Sequence, residues 1–128
     1  MATYTSFEQL ECWQLCRVVV NWVREVVRLL PPHEKYDMKW NMTRAARSST
    51  RNIAEGFGRY QYKDRIRFCR TSRGSLYEIL DDVITCVDEG YLDEGKGYEG
   101  RLKISEAIRS VNGYIKYLRS RGDAGQAE

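Results

Sequence analysis

The fold is decided by residues Thr43–Arg59, which read TRAARSSTRNIAEGFGR. One side of a helix over this stretch would carry Arg44, Arg47 and Arg51, which are three and four residues apart and therefore share a helix face. Gly56 and Gly58 predict the end of the helix, since glycine readily adopts the left-handed conformation found at helix C-termini. Another side carries small or aliphatic residues that would let a neighbouring helix approach closely: Ala45, Ala46, Ser49, Ile53 and Ala54.

Apolar periodicity predicts three further helices around this one. The first runs from about Ser6 to Leu30 and is ended by Pro31-Pro32, and Asp37 or Asn41 is the expected cap of the second. The third covers about Tyr62–Glu89 and the fourth about Arg101–Arg121, separated by a glycine-rich connection over Gly90–Gly100. We predict an all-α, antiparallel up-down-up-down four-helix bundle: a single domain over residues 1–121, followed by a frayed tail at 122–128.

The first helix carries two apolar seams, whereas a helix in a simple bundle needs only one. The second seam includes Trp22, Val26 and Leu29. We interpret these three residues as an oligomer interface, because exposed together they would leave an apolar patch on a monomer. The alternative is a wide face that is wholly internal to the bundle.

Two residues interrupt the predicted third helix. Arg73 falls on its apolar seam, so its head group is expected to reach solvent or pair with an acid. Gly74 lies mid-helix, where glycine costs about 1 kcal/mol relative to alanine. The expected compensation is a close approach by a neighbouring helix.

The overall net charge of +3 hides a strong separation of charge along the chain. Residues 44–73 include nine basic and two acidic residues, for a net charge of +7, whereas residues 78–99 include eight acidic and one basic, for −7. On antiparallel helices the basic block would form a patch suited to phosphates, and interleaved aromatic residues could stack on unpaired bases. Alternatively, its arginines pair with the acidic block. The candidate nucleic-acid-binding residues are Arg44, Arg47, Arg51, Arg59, Lys63, Arg67 and Arg70, with Phe57, Tyr60, Tyr62 and Phe68 as the aromatic set.

The sequence indicates no metal site, catalytic group or cofactor. The four cysteines lack CxxC spacing and the single histidine, His33, lies in a predicted loop, so the cysteines are interpreted as buried reduced thiols. The segment Gly90–Gly97 nearly matches a phosphate-binding loop, but Gly97 replaces the hydroxyl that would hold magnesium and no strand precedes it. No Ser/His/Asp set and no Glu-x-x-His motif is present. No signal peptide or membrane span is visible, and we expect a cytoplasmic protein that is not an enzyme.

The central stretch also resembles a known family. Asn52-Ile53-Ala54-Glu55-Gly56-Phe57-Gly58-Arg59, preceded by Arg44-Ala45-Ala46, looks like the signature of the four-helix-bundle proteins called 23S rRNA intervening sequence proteins. Flanking residues agree, namely Phe7, Leu10, Glu11, Trp13 and Gln14 in the first helix and Gly74-Ser75-Leu76 with Glu78 in the third, so the resemblance runs from about Phe7 to Leu118. The family often shows Ser-Ile-Pro where this chain has Ser48-Ser49-Thr50, so a proline-dependent kink is not expected here.

The resemblance implies a homo-oligomer, since several members form homopentamers. A similar bundle is the accessory protein of diversity-generating retroelements, where it binds nucleic acid and partners the reverse transcriptase. Our hypothesis is therefore a non-catalytic, chaperone-like nucleic-acid-binding accessory protein that acts as an oligomer, with a retroelement reverse transcriptase as a candidate partner. The alternative is a homo-oligomeric protein-interaction scaffold without a nucleic-acid role.

Overall fold

The computed structural model of the chain describes residues 4–127, with side chains as far as Gly122. Four helices follow one another: α1 (Glu11–Val26), α2 (Met38–Gly58), α3 (Tyr62–Asp88) and α4 (Glu94–Ala127). Each helix packs against two neighbours, α1 on α2 and α4, and α3 on α2 and α4. The predicted all-α four-helix bundle is confirmed. Among residues 4–127, none of the helices is both long and apolar enough to cross a bilayer.

The first predicted helix is shorter than expected because the chain leaves helical geometry at both ends. A 3-10 turn at Phe7–Gln9 is capped by Ser6, and Leu10 then adopts an extended conformation before α1 begins. After α1, a second 3-10 turn at Val27–Leu29 leads into the extended Leu30. Pro31 favours this extended conformation, because the proline ring disfavours helical geometry in the residue before it.

The predicted subunit contact of Trp22 and Val26 is wrong, since the structure buries both side chains within the chain's own core. They are 3% and 1% exposed, whereas Leu29 on the following 3-10 turn is 57% exposed. The physical reason lies in α4, which begins at Glu94 rather than Arg101. Its Gly100 faces the indole ring of Trp22 so closely that a Cβ at this position would overlap the ring.

The glycine-rich segment is therefore mostly helix, not a flexible connection. Gly97 and Gly100 are buried in the first turns of α4, and a Cβ on Gly97 would lie 2.5 Å from Cγ2 of Val87. Gly90, with φ +77°, makes the actual turn after α3. The predicted seam of α4 (Ile104, Ile108, Val111, Ile115 and Leu118) is buried as expected. The helix continues to Ala127 through the segment expected to fray, and Glu128 lies outside the described residues.

Polar contacts fix the antiparallel register of α2 and α3. The Ser72 hydroxyl donates to the carbonyl oxygen of Ser49 at 2.7 Å, and the Ser75 hydroxyl donates to the Ser48 hydroxyl at 2.8 Å. Ser49, Ser72 and Ser75 are all buried. The hydroxyls of Ser49 and Ser75 also donate to carbonyl oxygens of their own helices, so the buried hydroxyl that depends most on the register is that of Ser72.

The turn between α2 and α3 forms differently from the prediction. Gly56 and Gly58 are both helical, and the left-handed residue is Tyr60, with φ +65°. Gly56 instead permits close packing, because a Cβ there would lie 2.9 Å from Cβ of Phe68. At the other end of α2, Asp37 occupies the N-cap position, but its carboxylate accepts no capping hydrogen bond from the backbone of the first turn.

The expectation of a helix packed closely over Gly74 is also wrong. Gly74 is exposed, and a Cβ there would have no non-local heavy atom within 4 Å. The neighbouring Arg73 is partly buried, and its guanidinium donates to Oδ1 of Asn112 on α4 at 2.7 Å. It therefore bonds an amide rather than the predicted acid or open solvent.

Candidate nucleic-acid interface

Arg44, Arg47 and Arg51 lie on one exposed face of α2, as their spacing predicts. Trp40, one turn before Arg44, extends this face toward the start of the helix and is 57% exposed. These four residues and Thr43 line a shallow depression of about 230 Å³. We call this surface, Trp40 with Arg44, Arg47 and Arg51, the α2 ridge.

The three arginines of the α2 ridge differ in their partners. Arg44 pairs with Glu78 of α3 at 2.9 Å, and its guanidinium lies 5.5 Å from the centre of the Trp40 ring. Within the part of the chain whose side chains are described, Arg47 and Arg51 form no ion pair. Of the three arginines, Arg44 is therefore paired with the acidic block, as the alternative prediction had it. Arg47 and Arg51 keep charges that can attract an anion.

The remaining predicted basic residues lie nearer the α2–α3 turn. Because α2 and α3 are antiparallel, Lys63, Arg67 and Arg70 run back along α3 beside the end of α2. All three are exposed, and Arg70 is about level with Arg51. The structure therefore brings both sets of basic residues to one side of the α2–α3 hairpin.

Two basic residues at the turn already have acidic and aromatic partners. Arg59 pairs with Glu55 at 3.3 Å and Arg67 with Asp64 at 3.6 Å. Both guanidinium groups also lie over the Phe68 ring, 5.3 and 4.5 Å from its centre. These contacts neutralise part of the positive charge that the sequence placed at the turn.

Most of the predicted stacking residues are occupied within the fold. Phe57 and Tyr62 flank the guanidinium of Arg65, whose Cζ lies 4.7 and 5.8 Å from the two ring centres. Of the predicted set only Tyr60 is well exposed, at 80%. The sequence reasoning missed Trp40, because it stands outside the basic block. Its position four residues before Arg44 was the available signal, since residues at that spacing are neighbours on a helix.

The first acids of the acidic block, Glu78 and Asp82, lie beside Arg44 near the start of the α2 ridge. The pKa of Asp82 is raised to about 6, chiefly by burial and then by the charges of Asp81 and Glu78, while Arg44 opposes the shift. Acids on α3 thus lie beside Arg44, where they repel phosphate, whereas the part of α3 beside Arg51 is basic.

The four cysteines are buried and free. Burial raises the pKa of the Cys16 thiol to about 11 and of the Cys69 thiol to about 12, so both stay protonated at neutral pH and pack as small apolar groups. In the described part of the chain, no group of three or more His, Cys, Asp or Glu residues could hold a metal ion.

A known protein family matches most of the chain. A sequence model of the family described as 23S rRNA-intervening sequence protein matches residues 8–113. This range contains α1, α2 and α3 in full and more than half of α4. A comparison with curated proteins found no match. The chain therefore belongs to the 23S rRNA-intervening sequence protein family.

Proposed function

We propose that this protein is a non-catalytic nucleic-acid-binding accessory protein that acts as a homo-oligomer. The observation that carries the proposal is the α2 ridge, where Arg47 and Arg51 are exposed without acidic partners in the described chain. Two neighbouring arginines on a rigid helix suit consecutive phosphates of a nucleic-acid backbone, because guanidinium groups bind phosphate oxygens in a bidentate manner.

The proposed contact is to the backbone and carries little sequence information. Phosphate contacts position a protein on a strand, whereas sequence is read at base edges. The exposed ring of Trp40 adds a surface on which a base of any type can stack. Such binding neutralises and holds a flexible strand, which is the activity expected of a nucleic-acid chaperone.

Assembly multiplies this contact. A ring of several subunits repeats one modest patch, and the repeated contacts raise the overall affinity without any new contact type. A retroelement reverse transcriptase as protein partner belongs to the same proposal and is supported by the sequence resemblance. The four free thiols suit a reducing compartment, and the proposed location is the cytoplasm.

The test removes the charges of the α2 ridge. Arg44→Gln, Arg47→Gln and Arg51→Gln together keep helix propensity and remove three positive charges. We expect this variant to fold and assemble normally but to bind oligo(U) at least about tenfold more weakly, with a salt slope shallower by about 2. Fluorescence anisotropy at several KCl concentrations measures both quantities.

The matched control removes three exposed arginines from α4, which lies across the bundle from α2: Arg101→Gln, Arg109→Gln and Arg119→Gln. It should change affinity by less than about threefold, because distant surface charges are screened. Equal losses in both variants would mean that only net charge matters. Intact binding with collapsed assembly of the α2 variant would instead place its arginines at a subunit interface and favour the scaffold alternative.

A further inference from the structure

Helix α1 carries an arginine stripe of its own, outside both charge blocks of the sequence. Arg17 and Arg24 are seven residues apart on α1, and Arg28 follows in the adjoining 3-10 turn; all three are exposed. Residues spaced by seven lie on the same side of a helix. Arg24 donates to Oδ1 of Asn21 at 3.1 Å, and Arg17 lies over the Trp13 ring.

This stripe lies beside the α2 ridge across a narrow groove. The groove has an apolar floor, and Arg24 of α1 and Arg47 of α2 stand on its two sides. Its lining consists of Val20, Val23, Arg24 and Val27 from one side and Thr43, Ala46 and Arg47 from the other. Two guanidinium groups that face one groove from opposite walls repel each other unless an anion lies between them.

No acidic residue of the described chain lines this groove. From Met38 to Ala54, α2 contains no acidic residue. The two acids of α1 contact α4 on its other side: Glu11 accepts a hydrogen bond from Ser110 at 2.8 Å, and Glu25 pairs with Lys96. Within the described side chains, neither Arg24 nor Arg28 forms an ion pair.

The outer face of α3 offers a less favourable path. Its Arg67 is paired with Asp64, and farther along the helix Glu78 and Asp82 lie beside Arg44. A strand that followed α3 would meet these carboxylates, whereas a strand along the α1–α2 groove meets arginines from both walls. Repulsion between carboxylates and phosphates therefore favours the groove.

We propose that the backbone of a single-stranded nucleic acid lies along the groove between α1 and α2. Arg24 and Arg28 contact its phosphates from the α1 wall, and Arg47 and Arg51 contact them from the α2 wall. Trp40, on the α2 ridge, stacks on an unpaired base, which selects a single strand over a duplex. The inference rests on the proposed function. It adds α1 as a second binding helix and single-stranded nucleic acid as the class of ligand.

The experiment compares two triple variants that remove the same charge. The α1 variant carries Arg17→Gln, Arg24→Gln and Arg28→Gln, and the matched α3 variant carries Lys63→Gln, Arg67→Gln and Arg70→Gln. The probe is a fluorescein-labelled oligo(U) of about 20 nucleotides, with an RNA duplex of equal length for comparison, titrated with the full chain at several salt concentrations. We expect the α1 variant to bind the single strand at least about tenfold more weakly, with a salt slope shallower by about 1.4 for the two lost phosphate contacts. The affinity of the α3 variant should change by less than about threefold.

The outcomes separate the inference from the proposed function. If the unmodified chain binds no oligo(U) at low salt, the proposed function fails and the inference fails with it. If the chain binds but the α3 variant alone loses affinity, or both variants lose it equally, the groove is not the path although the function stands. Tighter binding of the duplex than of the single strand would also overturn the inference.

Circular dichroism and thermal melting establish that both variants are folded. If the α1 variant fails to fold, the single variants Arg24→Gln and Arg24→Glu replace it. Charge reversal at the groove wall should weaken binding more than charge removal, by a further threefold or so, because a carboxylate there repels the phosphate. Equal affinities of the two single variants would then overturn the inference.

Discussion

Asp82 on α3 shows how one carboxyl sets a pH dependence for the whole bundle. Its side chain is half-buried, and its pKa is raised from 3.8 to about 6, chiefly by burial and then by Asp81 and Glu78, with Asp37 adding to and Arg44 opposing the shift. The folded state therefore binds this proton more tightly than the unfolded chain does. Its contribution to stability falls as pH rises from about 4 to about 6, and the loss is complete above that range.

We expect Asp82→Asn to stabilise the bundle at pH 7, because the amide removes the cost of a partly buried charge. The pKa shift corresponds to at most about 3 kcal/mol, and solvent access to the half-buried carboxyl reduces this to about 1 kcal/mol. The gain should vanish near pH 4, where the native carboxyl is already protonated. Urea unfolding at both pH values measures it.

Asp81→Asn is the control for this measurement. Asp81 is the exposed neighbour of Asp82, and a surface substitution should stay within about 0.5 kcal/mol. A stabilisation by Asp82→Asn that is equal at pH 4 and pH 7 would contradict the electrostatic explanation and point to altered packing.

At the scale of helices, the glycines of α3 and α4 have opposite roles. Gly100 of α4 is buried against Trp22, whereas Gly74 of α3 is exposed with open space around it. We expect Gly100→Ala to destabilise the bundle by about 1–3 kcal/mol, since the added methyl overlaps the indole ring and forces α1 and α4 apart. Gly74→Ala should stabilise it by about 0.5–1 kcal/mol through helix propensity. Thermal unfolding of the two variants gives the comparison, and a raised melting temperature for Gly100→Ala would refute the close contact.

Sequence reasoning predicted the helices that repeat an apolar pattern and failed where packing decided the outcome. The seam from Ile104 to Leu118 and the shared face of Arg44, Arg47 and Arg51 follow from helical spacing alone, and both are observed. The early start of α4 was missed because its glycines have low helix propensity. The local signal was Asp93, whose carboxylate accepts a hydrogen bond from the backbone N–H of Lys96 at 2.7 Å, and the contact of Gly100 with Trp22 adds packing that the sequence does not reveal.

The candidate site was also predicted where local sequence determines it and missed where tertiary packing does. Charge counting found the basic block but not the stripe on α1, because Arg17, Arg24 and Arg28 are separated by apolar residues that hide them in a sequence window. Arg24 and Arg47 line one groove only because α1 packs beside α2, and this packing cannot be read from the spacing of residues in the sequence. Likewise, the pairing of Arg44 with Glu78 required the antiparallel register of α2 and α3.

At the scale of the whole molecule, the proposed assembly needs an apolar surface other than the buried Trp22 and Val26. The bonds Glu25–Lys96 and Glu11–Ser110 set the register of α1 and α4 and place Val18 level with residues 102–103. Val18 and Leu102 are 41% and 48% exposed. We infer that a second copy covers these two exposed aliphatic side chains, which lie at the same level of neighbouring helices.

We therefore expect the double variant Val18→Asp, Leu102→Asp to dissociate the oligomer, because assembly would bury two unpaired charges. Size-exclusion chromatography with light scattering measures the mass, and the variant should keep its helical content. Leu29→Asp is the control, since Leu29 is exposed on the 3-10 turn that follows α1. If Leu29→Asp dissociates the oligomer and the double variant does not, the interface lies at that turn; if the unmodified chain is a stable monomer at micromolar concentration, the assembly proposal fails.

The short turn between α2 and α3 also has a consequence for the order of folding. Residues 59–61 alone separate the two helices, so their association closes a very short loop at little cost in chain entropy. By contrast, the Glu25–Lys96 and Glu11–Ser110 contacts join residues 71 and 99 positions apart, and such distant contacts form slowly. The α2–α3 hairpin can thus act as the nucleus on which the chain's two outer helices condense. Because residues 44–73 of that hairpin carry a net charge of +7, screening of their mutual repulsion by salt would speed refolding under the same conditions that weaken phosphate binding.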